Sequence, residues 1–203
     1  MGCRIEQEKI AQTIAFHGHS CPGLAIGIRA AELALGRMPD VGQEDLVCVT
    51  ETDMCGVDAI QFLTGCTFGK GNLIHRDYGK VAFSFYDRRS GQGIRLLFKP
   101  RFRGDMDSEL KALMAKSMQA PLSKEEQARL QKMRTDKQQR LMSLPAEEMF
   151  TVEPLADTPP RPARVLQSLA CEECGEDTME SRTRRFAGKT LCIPCYHKVE
   201  QKI

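Results

Sequence analysis

The fold of this 203-residue chain is organised around one stretch, Phe16-His17-Gly18-His19-Ser20-Cys21-Pro22-Gly23. Apolar residues recur at helical spacing on both sides of it, over residues 5–16 and 22–35. Pro22 is typical of a first helical turn, and Cys21 occupies the N-cap position before it. The stretch is therefore predicted to be a loop that joins two helices, with a cysteine at the start of the second.

Three side chains in this loop have chemistry of their own. His17, His19 and Cys21 alternate, so in an extended loop all three would leave the backbone on the same side. The positive end of the following helix favours a thiolate at Cys21, as a metal ligand or as a nucleophile. The alternative is two hydrogen-bonded histidines and a packed thiol without function.

A second group of candidate residues surrounds the helix predicted near residues 57–63. Cys55 lies at a strand-to-helix turn, Asp58 falls in the first helical turn, and Cys66 opens a glycine-rich loop. We expect Cys55 and Asp58 to converge at the start of that helix. Gly69-Lys70-Gly71 lacks the spacing of a P-loop, so no nucleotide site is predicted. Cys48, in a strand-like run, is predicted to belong to the core.

The remaining pattern mixes helices and strands without strict alternation. A hairpin is predicted from residues 80–86 and 94–98, and a capping box of Ser123 and Glu126 starts a charged helix. The fold class is therefore α+β, with a largely antiparallel sheet and flanking helices. The narrow apolar stripe of the charged helix fits a surface position or packing against a partner subunit.

Four cysteines near the end of the chain have the spacing of a structural zinc site. Cys171 and Cys174 are separated from Cys192 and Cys195 by 17 residues, as in four-cysteine zinc sites. A hairpin of residues 178–183 and 185–190, followed by a helix over 194–201, would give an arrangement that resembles a treble clef. Four thiolates leave no open coordination position, so this Zn²⁺ is expected to be structural.

Proline-rich residues 157–162 are typical of a stiff linker. They predict a core domain of residues 1–156, a linker of residues 157–165 and a finger of residues 166–203.

The composition limits the function classes. Nine cysteines in a chain without a signal peptide or an 18-residue apolar run indicate a cytoplasmic, metal-binding protein that does not span a membrane. The net charge of +2 does not favour nucleic acid. In the finger, Arg182, Arg184 and Lys189 are offset by neighbouring acidic residues, so nucleic-acid binding there is a minor alternative.

Several motifs in order resemble the FmdE family of formylmethanofuran dehydrogenase proteins over about residues 10–100. They are His17-Gly-His19-Ser-Cys21-Pro22-Gly23, Cys55 with Asp58-Ala-Ile, Thr64-Gly65-Cys66-Thr67-Phe-Gly69-Lys70-Gly71-Asn72, and Asp77-Tyr-Gly79-Lys80. The resemblance implies an α+β core, a homodimer, and a cavity that binds metal or acts in catalysis. Its ligands would be His17, His19, Cys21, Cys55 and Cys66.

Three functions follow as competing hypotheses. The first is a metal-binding protein accessory to a molybdenum or tungsten enzyme of C1 metabolism, with a second ion in the core and Asp58 as acceptor for a histidine ligand. The second is an enzyme with Cys21 as nucleophile, His19 or His17 as base, and Asp58 in the same catalytic group. The third is an interaction protein whose finger contacts nucleic acid or another polypeptide.

Overall fold

A computed structural model of the chain describes residues 2–99, 101–102, 108–156 and 158–199. The chain separates into two compact units, with the boundary after Pro162. The domain bounds predicted from the sequence stay a prediction. Asp157, in the predicted linker, lies outside the described residues.

The first unit is built from helices and strands in mixed order. They are α1 (Gln7–His17), α2 (Pro22–Arg37), β1 (Leu46–Thr50), α3 (Gly56–Thr64), β2 (Leu73–His75), β3 (Ala82–Asp87), β4 (Gly93–Phe98), α4 (Ser108–Gln119), α5 (Lys124–Ser143), α6 (Ala146–Met149) and β5 (Phe150–Leu155).

The sheet of the first unit has five strands in the order β2-β1-β3-β4-β5. Only β1 and β2 are parallel, and the other three neighbouring pairs are antiparallel. The α+β prediction with a largely antiparallel sheet is confirmed. Strand β2 escaped the sequence analysis because three residues, Leu73 to His75, carry too little periodicity to be recognised.

The core fills the space between the sheet and the helices. Ala30 and Leu33 of α2 pack with Phe83, Phe85 and Leu96, and all five are almost completely buried. Each fully buried large apolar side chain contributes about 1.5–3 kcal/mol. Cys48 is also fully buried in this cluster, as predicted.

Helices α2 and α3 approach each other until their backbones touch. A Cβ atom added to Gly27 would lie 2.1 Å from the carbonyl oxygen of Gly56, and one added to Gly56 would lie 3.2 Å from the nitrogen of Gly27. Only glycine fits at position 27 of this crossing, and position 56 leaves little room for a larger residue. The contact brings the N-terminal ends of both helices together, and with them Cys21 and Cys55.

Two predicted helix boundaries can be compared with the structure. The capping box of α5 is present, with the Glu126 N–H donating to Ser123 Oγ and the Ser123 N–H donating to the Glu126 carboxylate. In contrast, α2 continues to Arg37, two residues beyond the predicted range of 22–35. Leu130 and Leu141 of α5 are buried within the chain, so its apolar stripe packs internally, and its packing against a partner stays a prediction.

The second unit consists of short elements. They are β6 (Ser168–Ala170), β7 (Asp177–Met179), a 3-10 turn (Glu180–Arg182), β8 (Thr183–Phe186), β9 (Lys189–Cys192) and α7 (Ile193–Tyr196).

The predicted pairing inside the finger was wrong in part. Strand β8 pairs with β9 across Ala187 and Gly188, whose positive φ angles of 48° and 82° suit a two-residue hairpin turn. Strand β7 pairs instead with β6, because the turn that carries Cys171 and Cys174 joins these two strands. The predicted helix over 194–201 is shorter, and residues 200–203 lie outside the described residues.

No helix among the described residues has the length and apolar composition that crossing a bilayer requires. The cytoplasmic location stays a prediction.

Gly27 and Gly36 allow a matched test of the helix crossing, because both lie in α2. Gly27→Ala is expected to lower the free energy of unfolding by about 1–3 kcal/mol, since the new methyl group overlaps Gly56. Gly36→Ala meets only a side-chain atom of Arg4, at 3.9 Å, and should raise stability by up to about 1 kcal/mol. Urea unfolding followed by circular dichroism measures the free energy of unfolding of both variants. Equal changes in the two variants would contradict the close contact between α2 and α3.

Candidate metal centres

Four potential metal ligands meet in the first unit. One donor atom from each of His17, His19, Cys21 and Cys55 lies within 4.8 Å of all the others. In a tetrahedral zinc site, Zn–S bonds of about 2.3 Å and Zn–N bonds of about 2.0–2.1 Å place ligand atoms roughly 3.5 Å apart. Small side-chain movements therefore suffice to close the group around an ion. Two imidazoles and two thiols fit zinc or another borderline-soft metal.

The histidine loop reaches this arrangement differently from the extended conformation predicted. His17 is the last residue of α1, and Gly18 ends that helix with φ of 89°, in the left-handed region. Cys21 is extended, with φ of −153°. The left-handed turn at Gly18, and not alternation along an extended strand, turns the chain so that all three side chains converge.

Cys21 and Cys55 stand at the N-termini of α2 and α3. The backbone N–H of Leu24 donates to Cys21 Sγ at 3.3 Å, and the positive helix end favours the thiolate. A Cβ atom added to Gly23 would lie 3.2 Å from Cys55 Cβ and 3.6 Å from Cys55 Sγ. Gly23 thus leaves the space in which the second sulfur approaches the first.

Burial, followed by the neighbouring Cys21 thiol, raises the pKa of Cys55. In the metal-free protein the Cys55 thiol consequently keeps its proton at neutral pH. A metal ion must displace this proton, so we expect metal affinity to rise with pH.

Asp58 holds the ring of His17. His17 Nδ1 donates to Asp58 Oδ2 at 2.7 Å, and His17 Nε2 lies 3.9 Å from Cys21 Sγ. Because the carboxylate accepts a hydrogen bond from Nδ1–H and so keeps the proton on Nδ1, the lone pair of Nε2 is directed to the sulfur side of the ring, where a metal would bind. Asp58 has the position expected of the acceptor for a histidine ligand.

His19 is the most weakly held of the four groups. Its side chain is exposed, and its ring centroid lies 4.5 Å from that of His17. Within the described part of the chain it makes no hydrogen bond.

The structure does not bring Cys66 to this group, contrary to the prediction. Cys66 is fully buried, and its thiol donates to the carbonyl oxygen of Leu46 at 3.5 Å, at the beginning of β1. Cys55 follows the other end of that strand. The nine residues of α3, about 13 Å of helix, separate the two cysteines. Cys66 is a core thiol whose pKa burial raises.

Two features near the group were missed by the sequence analysis. The first is the packing role of Gly23, Gly27 and Gly56, for which the four-residue spacing of Gly23 and Gly27 was the available signal. The second is an apolar rim of exposed side chains next to the ligands: Phe16 and Phe62, with ring centroids 5.6 Å apart, and Met54, which is 60% exposed. Nothing in the pattern distinguished these from core residues.

The finger contains the second group of ligands. The sulfurs of Cys171, Cys174, Cys192 and Cys195 lie within 4.8 Å of one another. Hydrogen bonds from the backbone N–H groups of Cys174 and then Cys192 lower the pKa of Cys171 to about 6. Hydrogen bonding to the Cys192 thiol, followed by burial, raises the pKa of Cys195 to about 12. Cys171 therefore ionises before Cys195, and a metal ion must displace the proton of Cys195.

Comparison with known proteins gave matches for both units. The model of the family described as "FmdE, Molybdenum formylmethanofuran dehydrogenase operon" matches residues 16–151. The model of the prokaryotic dksA/traR C4-type zinc finger matches residues 164–201. The second match agrees with a zinc-binding role for the four cysteines.

A relative from Archaeoglobus fulgidus, named "Probable S-adenosyl-L-methionine-binding protein", is 32% identical over 189 residues. The match covers 89% of this chain and 50% of that protein, so the chain spans about half the length of its relative.

A crystal structure of a "tungsten formylmethanofuran dehydrogenase subunit e (fmde)-like protein" from Syntrophus aciditrophicus has a similar fold. The TM-score is 0.66 at 22% identity, with 97% of this chain and 96% of that chain covered.

Removing the metal should affect the two units unequally. The finger buries few apolar residues, chiefly Leu191 with its cysteines, and structural zinc in such modules contributes about 10–16 kcal/mol of apparent binding free energy. Chelation is therefore expected to abolish amide-exchange protection in β8 and β9 while β3 and β4 stay protected. Hydrogen exchange measured residue by residue tests this, and protection lost at the same rate in both units would contradict it.

Proposed function

The chain belongs to the FmdE family, and on that premise we propose that it binds two metal ions, one in the core and one in the finger. The observation that supports the core ion is the convergence of two imidazoles and two thiols within 4.8 Å. The finger ion is a structural zinc bound by four thiolates.

Each core residue has a distinct role in this proposal. His17, Cys21 and Cys55 are ligands, with His19 as the fourth, and Asp58 orients His17 through the hydrogen bond at Nδ1. The N-termini of α2 and α3 stabilise negative charge on the two sulfurs. When bound, the ion would supply a Lewis acid beside a solvent-exposed rim.

We further propose that the protein is accessory to a molybdenum or tungsten enzyme of C1 metabolism. The support is the description of the matching family, which names a molybdenum formylmethanofuran dehydrogenase operon. We also propose a homodimer formed through the core, which would cover exposed apolar side chains such as Met118 of α4, 90% exposed. Light scattering on the purified chain measures the oligomeric state directly.

A specific geometry supports the alternative of a cysteine-dependent enzyme. Cys21, His17 and Asp58 form a chain of contacts of 3.9 Å and 2.7 Å, which is the order of nucleophile, base and orienting carboxylate. In this alternative Cys21 acts without metal. Selective alkylation of Cys21 in the metal-free protein would favour it, whereas bound metal should protect that thiol.

Two further ligands are worth direct tests. The name of the Archaeoglobus relative suggests S-adenosyl-L-methionine as a ligand. Calorimetric titration of this chain shows whether the region that matches half of that relative is sufficient to bind it. Binding of nucleic acid by the finger would show a steep dependence on salt.

Metal content of the purified chain tests the two-site proposal. The wild type is expected to contain two ions per chain, Cys21→Ser one, and Cys174→Ser one, because each substitution removes a ligand from one site only. Cys66→Ala is the control, since that thiol lies in the apolar core, and should keep both ions. A single ion in the wild type, or two ions in Cys21→Ser, would reject the core site.

Asp58→Asn tests how His17 is oriented. Loss of the carboxylate is expected to lower the affinity for the core ion by about 10–100-fold, because an amide no longer fixes the tautomer of His17. The affinity for the finger ion should not change. Competition with a chromophoric chelator measures both affinities. Asp53→Asn, an exposed carboxylate two residues before Cys55, is the control and should have no effect. Equal affinities in Asp58→Asn and Asp53→Asn would contradict the orienting role.

A further inference from the structure

The four groups of the core cluster are not held equally by the fold. His17 is only 10% exposed and is fixed by Asp58 at 2.7 Å. Cys21 Sγ accepts the Leu24 N–H, and Cys55 is packed against Gly23. These three groups keep their positions through contacts that do not depend on a metal.

His19 has no comparable support. It lies between Gly18 and Ser20, which are both exposed, and its own side chain is exposed as well. Its ring stands against the tilted ring of His17, 4.5 Å away between centroids, and within the described residues no group donates to it or accepts from it. Coordination to the ion would be the main interaction that orders this side chain.

The cost of releasing a ligand follows from this difference. A freed His17 would leave the Asp58 carboxylate without its donor, and a freed Cys21 or Cys55 would leave a partly buried thiolate. A freed His19 passes into water, regains rotamer freedom and leaves no buried partner unpaired. Of the four ligands, His19 is therefore the one that an incoming molecule replaces at the lowest cost.

We propose that His19 is an exchangeable ligand, and that an external molecule with a thiolate or aromatic-nitrogen donor displaces it to bind the core ion directly. This inference rests on the core metal site proposed above. The bond from the ion to His19 breaks and a bond to the new donor forms, without oxidation or reduction. A thiol donor releases its proton to the freed imidazole or to water.

The surroundings indicate the class of the incoming molecule. Phe16 and Met54 immediately precede the ligands His17 and Cys55, and both are largely exposed. A donor carried on an apolar or aromatic body would cover these side chains as it binds, which favours it over a small hydrated anion. Three fixed protein ligands with one replaceable position is also the pattern of zinc sites that bind substrates.

Cobalt substitution of the full chain provides the test, with imidazole and 2-mercaptoethanol as probes. Visible absorption of Co²⁺ reports the ligands of the core ion, while the four thiolates of the finger give a constant background. In the wild type, both probes are expected to change the core spectrum with saturation. No change with either probe would overturn the proposal.

Three variants separate exchange from simple loss of the site. His19→Ala should keep the core ion with an affinity lowered about tenfold, and imidazole should bind it at least ~10-fold more tightly than it binds the wild type, since no side chain competes. His17→Ala should lower the affinity for the core ion about 100-fold or more, because the fold holds the His17 ring in place for binding. Ser20→Ala should match the wild type. If His19→Ala lowers the affinity for the core ion as much as His17→Ala does, the proposal is overturned.

A second measurement does not depend on cobalt. In the zinc-loaded protein, the ring signals of His19 in nuclear magnetic resonance spectra should move to those of a free imidazole when 2-mercaptoethanol is added, while the signals of His17 stay. Unchanged signals of His19 at saturating thiol would contradict exchange. If the wild type holds no core ion at all, the two-site proposal fails, and this outcome is distinguishable from failure of the exchange alone.

Discussion

The close contact between Gly27 of α2 and Gly56 of α3 is the constraint on which the core site depends. A side chain at Gly27 would separate the two helices, because its Cβ atom would overlap the backbone of Gly56, and a side chain at Gly56 would make an unusually tight contact with Gly27. The contact places two helix N-termini side by side, and each terminus begins with a cysteine. The position of the site is therefore a consequence of backbone packing, and Gly23, which has no side chain, leaves the space in which the two sulfurs approach each other.

The electrostatics of the site follow from the same arrangement. The N-termini of α2 and α3 present positive dipole ends to the sulfurs, and the Leu24 N–H donates to Cys21 Sγ. Both effects lower the cost of holding two thiolates close together. Burial, and then the proximity of the Cys21 thiol, still raise the pKa of Cys55 in the metal-free protein. A divalent cation offsets both effects, and the Asp58 carboxylate, bonded to the far side of His17, completes the arrangement from α3.

The two metal centres differ in how they are built. In the finger, the candidate ligands form two pairs of cysteines close together in the chain, one in a tight turn and one at a short helix. Few apolar side chains pack around these pairs, so a shared ion would be their main support. The candidate ligands of the core come from the end of α1 and the starts of α2 and α3. Helices α2 and α3 pack on the buried sheet, and α1 packs on these two helices. This difference is the reason why we propose a structural ion in the finger and, in the core, a site at which one ligand can exchange.

The sequence by itself determined the α+β class, the hairpin of β3 and β4, the capping box of α5 and the four cysteines of the finger, because each depends on residues close together in the chain. It also indicated His17, His19, Cys21, Cys55 and Asp58 as candidates. Only the tertiary structure placed Cys66 in the hydrophobic core, at the opposite end of α3 from the site. It alone showed the backbone contact between α2 and α3 and the unequal support of the four ligands, because these depend on how distant segments pack, which local periodicity does not encode.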